Sequence, residues 1–295
     1  MTIASVNDMI AAQSAGRRRL TQFNKITGAA AYAAGRSYEM FSLNGYPVAT
    51  TFPGTALACV NCSDSAGDGT NKCGIPHGGN VSAYVKHLVK IGAMSTAATG
   101  VPATLKLVDL VSYWPGINMN TSSAQTLTGT PDLTRWPNGD GLQLSLAARS
   151  TTGSTAHNLS ISYTNQAGTS GRSLAATVAC TVSAIAPHIV HSGTAANNYG
   201  PGLPLGGGDT GVQNVASVTL SAASGTASTA VLLLWREIQD ITISIQNGKV
   251  DVDCVNQFMS MPRIPDDACL GFILQAGAAV AANTTFLGDI TTLWG

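Results

Sequence analysis

The chain has 295 residues, 15 basic and 15 acidic side chains and a formal net charge of zero. Only 10% of its residues are charged, against about 25% in an ordinary soluble protein. That balance argues against general nucleic-acid binding or attachment to a charged membrane surface. A surface this poor in ions resists self-association weakly, and charge is depleted where subunits cover one another. Composition therefore points to a subunit of an assembly, or to an extracellular β-protein with a Ser/Thr/Asn-rich skin.

The opening stretch "MTIASVNDMIAAQSAGRRR" places its positive charge after a weakly apolar segment, the reverse of a secretory signal. The expectation is a chain made in the cytoplasm of its host. Ser5 and Asp8 have the spacing of a helix cap, and Val6, Met9 and Ile10 form an apolar stripe behind it. Arg17, Arg18 and Arg19 read first as a solvated face, with an acidic partner or packaged nucleic acid as the lesser option. The Ala-rich stretch 29–45, closed by Asn44-Gly45 and Pro47, reads as a second helix. Val81, Tyr84, Val85, Leu88 and Ile91 recur at helical spacing, with Lys86, His87 and Lys90 on the polar side. This predicts a third, amphipathic helix.

From about residue 100 the period changes. "LKLVDLVSYW" fits a buried strand or a short helix. "LQLSLAA", "LSISYT", "SLAATVACTV", "VQNVASVTLSAA", "AVLLLW" and "ITISI" alternate or are β-branched, with turn formers between them. The long Gly- and Pro-rich connection 193–211 predicts an arm or a loop packed against something. The terminal Trp294 is expected to dock. The fold class expected is mainly β with N-terminal helices (α+β), the body an antiparallel β-sandwich of jelly-roll type. The division expected is a helical and loop region over 1–98 and a sandwich over 99–295. No run of about 18 apolar residues predicts a membrane-spanning helix.

Cys59, Cys62, Cys73 and His77 lie in the turn-rich stretch "CVNCSDSAGDGTNKCGIPHGG". Three readings are open. A disulfide, Cys62–Cys73 or Cys59–Cys73, would close a loop of about a dozen residues, worth about 3 kcal/mol. The same four residues offer the donor set of a Cys₃His zinc site. The thiols are otherwise idle. Cys180, Cys254 and Cys269 bring the cysteines to six, which permits full pairing. A redox CxxC is disfavoured by the acidic loop that follows. No phosphate-binding loop, dinucleotide fingerprint, HExxH or GxSxG is present, and carboxylates are sparse. No catalytic residue, metal or cofactor is assigned, and the expectation is a protein that is not an enzyme. Trp114, Trp136 and Tyr199 are candidate glycan-contacting aromatics, with core packing as the plainer reading.

The segments "SVNDMIAAQSAGRRRLTQFNK", "HGGNVS", "SISYTNQAGTSGRSL", "YGPGLPLGGGDTGVQNVASVTLSAA" and "DCVNQFMSMPRIPDDACLGFILQAGA", with the terminal "FLGDITTLWG", together resemble a family of virion structural proteins of tailed bacteriophages. The resemblance runs from end to end, and the cysteine loop departs from the family's pattern. It implies a structural component of the particle, most simply a head decoration or cement protein. Such a protein makes a homo-oligomer, a trimer being one form, and binds the major capsid protein or other virion proteins. A tail, adaptor or fibre component and a receptor- or glycan-binding module are the alternatives.

Overall fold

The computed structural model describes residues 3–64, 74–192, 200–258 and 261–295. In chain order the strands are β1 Arg18–Ile26, β2 Arg36–Glu39, β3 Asn44–Tyr46, β4 Val60–Asn61, β5 Lys86–Ser95, β6 Ala103–Asn118, β7 Gln125–Thr126, β8 Leu142–Ala148, β9 Asn158–Asn165, β10 Arg172–Ser173, β11 Val178–Ala179, β12 Val212–Leu220, β13 Thr229–Ile243, β14 Val250–Asp253, β15 Leu270–Ala276 and β16 Thr285–Trp294. The helices are α1 Val6–Ser14 and the short α2 Cys254–Phe258.

Among the described residues the strands form three antiparallel sheets. The first runs β14-β5-β16-β1-β3. The second runs β10-β9-β12-β7, with β11 also on β9. The third, β2-β15-β6-β13-β8 with β4 on β6, is central. Its two longest strands, of 16 and 15 residues, extend about 50 Å at 3.3 Å per residue, so one sheet serves two cores. Near the β15 end, Leu105, Leu107, Ile241 and Phe272 pack with Phe23, Leu88, Ile91 and Phe286 of the first sheet. Farther along, Trp114, Leu144 and Leu232 pack with Leu159, Tyr163 and Val218 of the second. A third cluster, with Phe41, Phe52, Leu110, Tyr113 and Trp235, gathers Cys62 and Cys269 as well. The molecule is thus mainly β and sandwich-like, as the alternation from residue 100 predicts.

The expected boundary at 98/99 falls between β5 and β6. Before it, β1, β3 and β5 share a sheet with β14 and β16 from the far end of the chain. Ser5 caps α1 as expected, accepting from the Asp8 amide at 3.2 Å while Asp8 accepts from the Ala4 amide at 3.0 Å.

The two other expected helices are strands. Over 29–45, Gly35 adopts φ +72°, Tyr32 bridges to Val280, and Ser37 and Tyr38 pair with Gln275 and Leu274 of β15. The helix preference of the alanines is worth a few tenths of a kcal/mol per residue, less than burying Tyr32 and Tyr38, each 1% exposed and stacked at 4.0 Å. Over 80–95 the helical spacing has a different origin. The register of β5 on β16 shifts between Lys90↔Thr291 and Leu88↔Thr292. The bulge at Val89 adds one residue, so Leu88 and Ile91 both face the core three positions apart. Lys86, expected on a polar face, is 1% exposed. The segment "AVLLLW" and the first three residues of "ITISI" belong to one strand, β13.

Candidate functional site

Two features stand out: a buried polar hub under the cysteine loop, and an apolar stripe left uncovered near the N-terminus.

The hub centres on Asp109, the one carboxylate in the apolar run of β6. Its side chain is fully buried. It accepts from Arg135 Nε at 2.8 Å and Arg135 Nη2 at 3.0 Å, from Trp136 Nε1 at 2.6 Å and from the Cys269 amide at 2.9 Å. Arg135 also donates to the Leu110 carbonyl at 3.0 Å and reaches Asp267 at 3.4 Å. Burial opposes the Arg135 charge, and the Asp109 carboxylate outweighs it, holding the guanidinium above its ordinary range. Arg236 covers the Trp136 ring at 4.1 Å.

The cysteine loop is tied down on both sides of this hub. On its N-terminal side, the Cys62 amide donates to Val111 and the Asp64 amide to Asp267, at 2.9 and 3.0 Å. On the C-terminal side, the Ile75 amide donates to Leu270 at 2.8 Å. Thr21 Oγ1 donates to the Pro76 carbonyl at 2.7 Å, and Thr292 Oγ1 to that of His77 at 3.3 Å. Its anchors therefore sit on β6 and β15 of the central sheet and on β1 and β16 of the first. Residues 75–77 thus tie the two sheets together.

Of the residues singled out in the sequence, His77 is fully buried. Its Nε2 donates to the Ala268 carbonyl at 2.9 Å, and its Nδ1 accepts from Lys86 Nζ at 3.0 Å. Burial first, and the Lys86 charge second, push its pKa down to about 4, so the ring is neutral at pH 7. Lys86 in turn reaches Asp266 at 3.3 Å. With both nitrogens engaged, His77 works as a structural strut. Among the described residues no group of three His, Cys, Asp or Glu is placed to hold a metal ion.

Cys59 is half-buried against the second core, its Sγ 3.7 Å from Asn61 Oδ1. Burial pushes its thiol up to about 11. Cys62 is buried and hydrogen-bonded to Cys269. Cys73 lies outside the described residues, and with it both expected pairings. No disulfide joins any two of the described cysteines. Cys180 and Cys254 stand apart from the hub, in the second and first cores.

The aromatic candidates divide. Trp114 is wholly buried, Trp136 is committed to Asp109, and Tyr199 lies outside the described residues. Of the connection 193–211, residues 200–211 lie packed on the body: Ser145 Oγ donates to the Pro201 carbonyl, Leu203 pairs with Leu144 at 2.9 Å, and Tyr163 reaches Asp209 at 2.5 Å.

Sequence reasoning missed the Asp109–Arg135 pair and the buried Lys86. The one visible signal was a lone Asp inside "LKLVDLVSYW", since a charge among core residues requires a buried partner.

The second feature is apolar and open. Val6 and Ile10 of α1 are 67% and 58% exposed, and Leu20, Tyr46 and Val48 follow at 56%, 46% and 65%. Met9 packs partly on Ile3 and Leu293, so the helix is held by one flank while its stripe faces outward. Leu20 and Tyr46 line an open groove of about 790 Å³ on the first sheet with Met94, Leu287, Lys249 and Asp289. Arg17 stacks over Tyr84 at 4.6 Å, and Arg18 is exposed. Among the described residues no helix is long and apolar enough to cross a membrane.

No protein-family model matches the sequence, and no curated protein matches it. Among solved structures, the chain is similar to the infectious bursal disease virus VP2 subviral particle, at 10% identity over 94% of this chain and 80% of that one, with a TM-score of 0.20. It is similar also to a point-mutant VP2 of the same virus from derived T=1 particles, at 11% identity over 94% and 78%, with a TM-score of 0.16. At these scores the likeness sets neither a fold nor a role for this chain.

Proposed function

We propose that this protein is a non-enzymatic structural subunit of a tailed-bacteriophage particle, a head decoration or cement protein. It oligomerises and bridges capsid subunits. The observation that carries this reading is the position of the uncovered apolar side chains. Of the seven large apolar residues exposed among those described, five fall in the first 48 positions, on α1 and on β1, β3 and their flank. The net charge of zero does nothing to keep copies apart.

The occupant of this surface is a second copy of the chain or the capsid subunit beneath it. Burial of such a stripe contributes about 25 cal/mol per Å² before the costs of association. Many copies on a lattice then act together through multivalency. The tie that residues 75–77 make across two sheets suits a protein that bears load. The tail, adaptor or fibre reading uses the same surface at another symmetry. The glycan-binding reading loses support, because Trp114 and Trp136 are spoken for within the fold.

The test is the composition of purified phage particles whose genome encodes the chain. Quantitative mass spectrometry should find it at a fixed copy number that is a simple fraction of the major capsid protein. Absence from the particle would overturn the assignment. A copy number of a dozen or fewer would move it to the tail or adaptor.

A further inference from the structure

One of the three readings open in the sequence pairs the cysteine loop within itself. The fold brings a different partner to Cys62. Strand β4 lies antiparallel on β6, with Val60 opposite Tyr113 and Asn61 opposite Ser112. One residue on, the Cys62 amide donates to Val111 at 2.9 Å. Strand β15 lies antiparallel on the same edge of β6, since β13 occupies the other, and begins with Leu270 opposite Asp109. One residue earlier, the Leu110 amide donates to the Cys269 carbonyl at 2.9 Å. Cys62 and Cys269 therefore occupy successive positions, opposite Val111 and Leu110, where one strand ends and the other begins. Both side chains enter the same cluster, 1% and 0% exposed.

We propose that Cys62 and Cys269 are an oxidisable pair that closes to a disulfide, fastening the N-terminal anchor of the cysteine loop to the start of β15. The Cys62 thiol acts directly on that of Cys269, and a disulfide would bring the two sulfurs to about 2.05 Å. The hub fixes this geometry, because the Cys269 amide is held by Asp109 at 2.9 Å. The oxidant is a peroxide, small enough to enter a packed interior. One sulfur attacks the peroxide, breaking the O–O bond to give a sulfenic acid and water. The second sulfur displaces the hydroxyl as a second water, so two thiols and one hydrogen peroxide yield one disulfide and two waters. The hydrogen bond to Cys62, with burial, holds the Cys269 thiol well above its ordinary range, so the reaction is slow at neutral pH and faster in alkali. The pair stays reduced in a cytoplasm and closes after release into an oxidising medium. This proposal does not depend on the particle assignment.

The test uses the folded, reduced full-length protein. It is treated with hydrogen peroxide at pH 8.5, its remaining thiols are alkylated under denaturing conditions, and it is digested with trypsin without reduction. Cleavage after Arg36, Lys72, Lys86 and Arg263 puts Cys62 in peptide 37–72, Cys73 in 73–86 and Cys269 in 264–295. The expected product joins 37–72 to 264–295. The join should persist in Cys59→Ser and vanish in Cys62→Ser, and its formation should raise the Tm by about 5 °C or more. A join of 37–72 to 73–86 would overturn the proposal in favour of a bond within the loop. Peptides 37–72 and 264–295 recovered only as alkylated or over-oxidised species would overturn it also. The mapping is made on the wild-type chain, so it stands even where a variant fails to fold.

Discussion

Arg135 and Asp109 meet through two parallel hydrogen bonds of 2.8 and 3.0 Å, with the two side chains 4% and 0% exposed. The pair joins the loop before the turn at Pro137 to the middle of β6, and Asp109 passes the constraint to Cys269 and Trp136. Removing one partner leaves the other charge buried and unanswered. Arg135→Ala should therefore lower the unfolding free energy by about 3–5 kcal/mol, read from urea denaturation. A loss below about 1 kcal/mol would mean that water reaches the site and the hub is not closed.

Trp136 is held by the same carboxylate. Trp136→Phe keeps the ring under Arg236 and removes only the donor to Asp109, so it should cost about 1.5–3 kcal/mol, the range of a hydrogen bond to a charged group. A glycan array should show no change. Loss of glycan binding with stability intact would restore the receptor reading.

Acid should weaken the fold from about pH 6.5 downward. Burial and the Lys86 charge push His77 down to about 4, burial and the Arg36 charge push His188 to about 3, and burial pushes His191 to about 4. Each ring stays neutral in the fold and takes a proton in the unfolded chain near pH 6.5. As pH falls, the unfolded chain binds protons that the fold refuses. Stability should drop by up to about 1.4 kcal/mol per pH unit for each histidine until the folded pKa is reached. Glu39 acts the other way: burial, opposed by Arg149, raises its carboxyl, so the fold binds that proton first and gains a little on acidification. Three groups outweigh one, and the Tm should fall steeply between pH 6 and 4.5. A flat profile across that range would show that these rings reach solvent.

The stripe on α1 should matter for association and not for folding. Val6 and Ile10 touch little of their own chain, so Val6→Asp with Ile10→Asp should leave the Tm within about 2 °C while weakening self-association at least tenfold, about 1.4 kcal/mol. Sedimentation velocity over a concentration series reads both states. Equal loss of folding and association would place the stripe inside the subunit core.

The sheet-forming body was legible because β8, β9 and β12 carry alternating or β-branched runs bounded by turn residues. The N-terminal third was not. Leu88 and Ile91 carry a helical interval because Val89 bulges out of β5, and a bulge is set by the partner strand, which lies about 200 residues on. Residues 29–45 read as helix because alanine is plentiful, yet Tyr32 and Tyr38 find their partners on β15 and at Val280. Lys86 looked solvated because its partners are reached only through the fold, His77 from the loop nine residues before it and Asp266 from far along the chain. The candidate site was half visible for the same reason. Clustering drew the eye to Cys59, Cys62, Cys73 and His77, whereas the fold hands Cys62 to Cys269 and His77 to Lys86 and Ala268. A capping residue such as Ser5 acts within one turn and was readable without any of this.

The most direct measurement is the native mass of the purified chain across low-micromolar concentrations, with and without purified particles of the proposed phage. The account predicts a defined oligomer that adds to the particle in saturable amounts. A lone polypeptide at every concentration, indifferent to the particle, would contradict it.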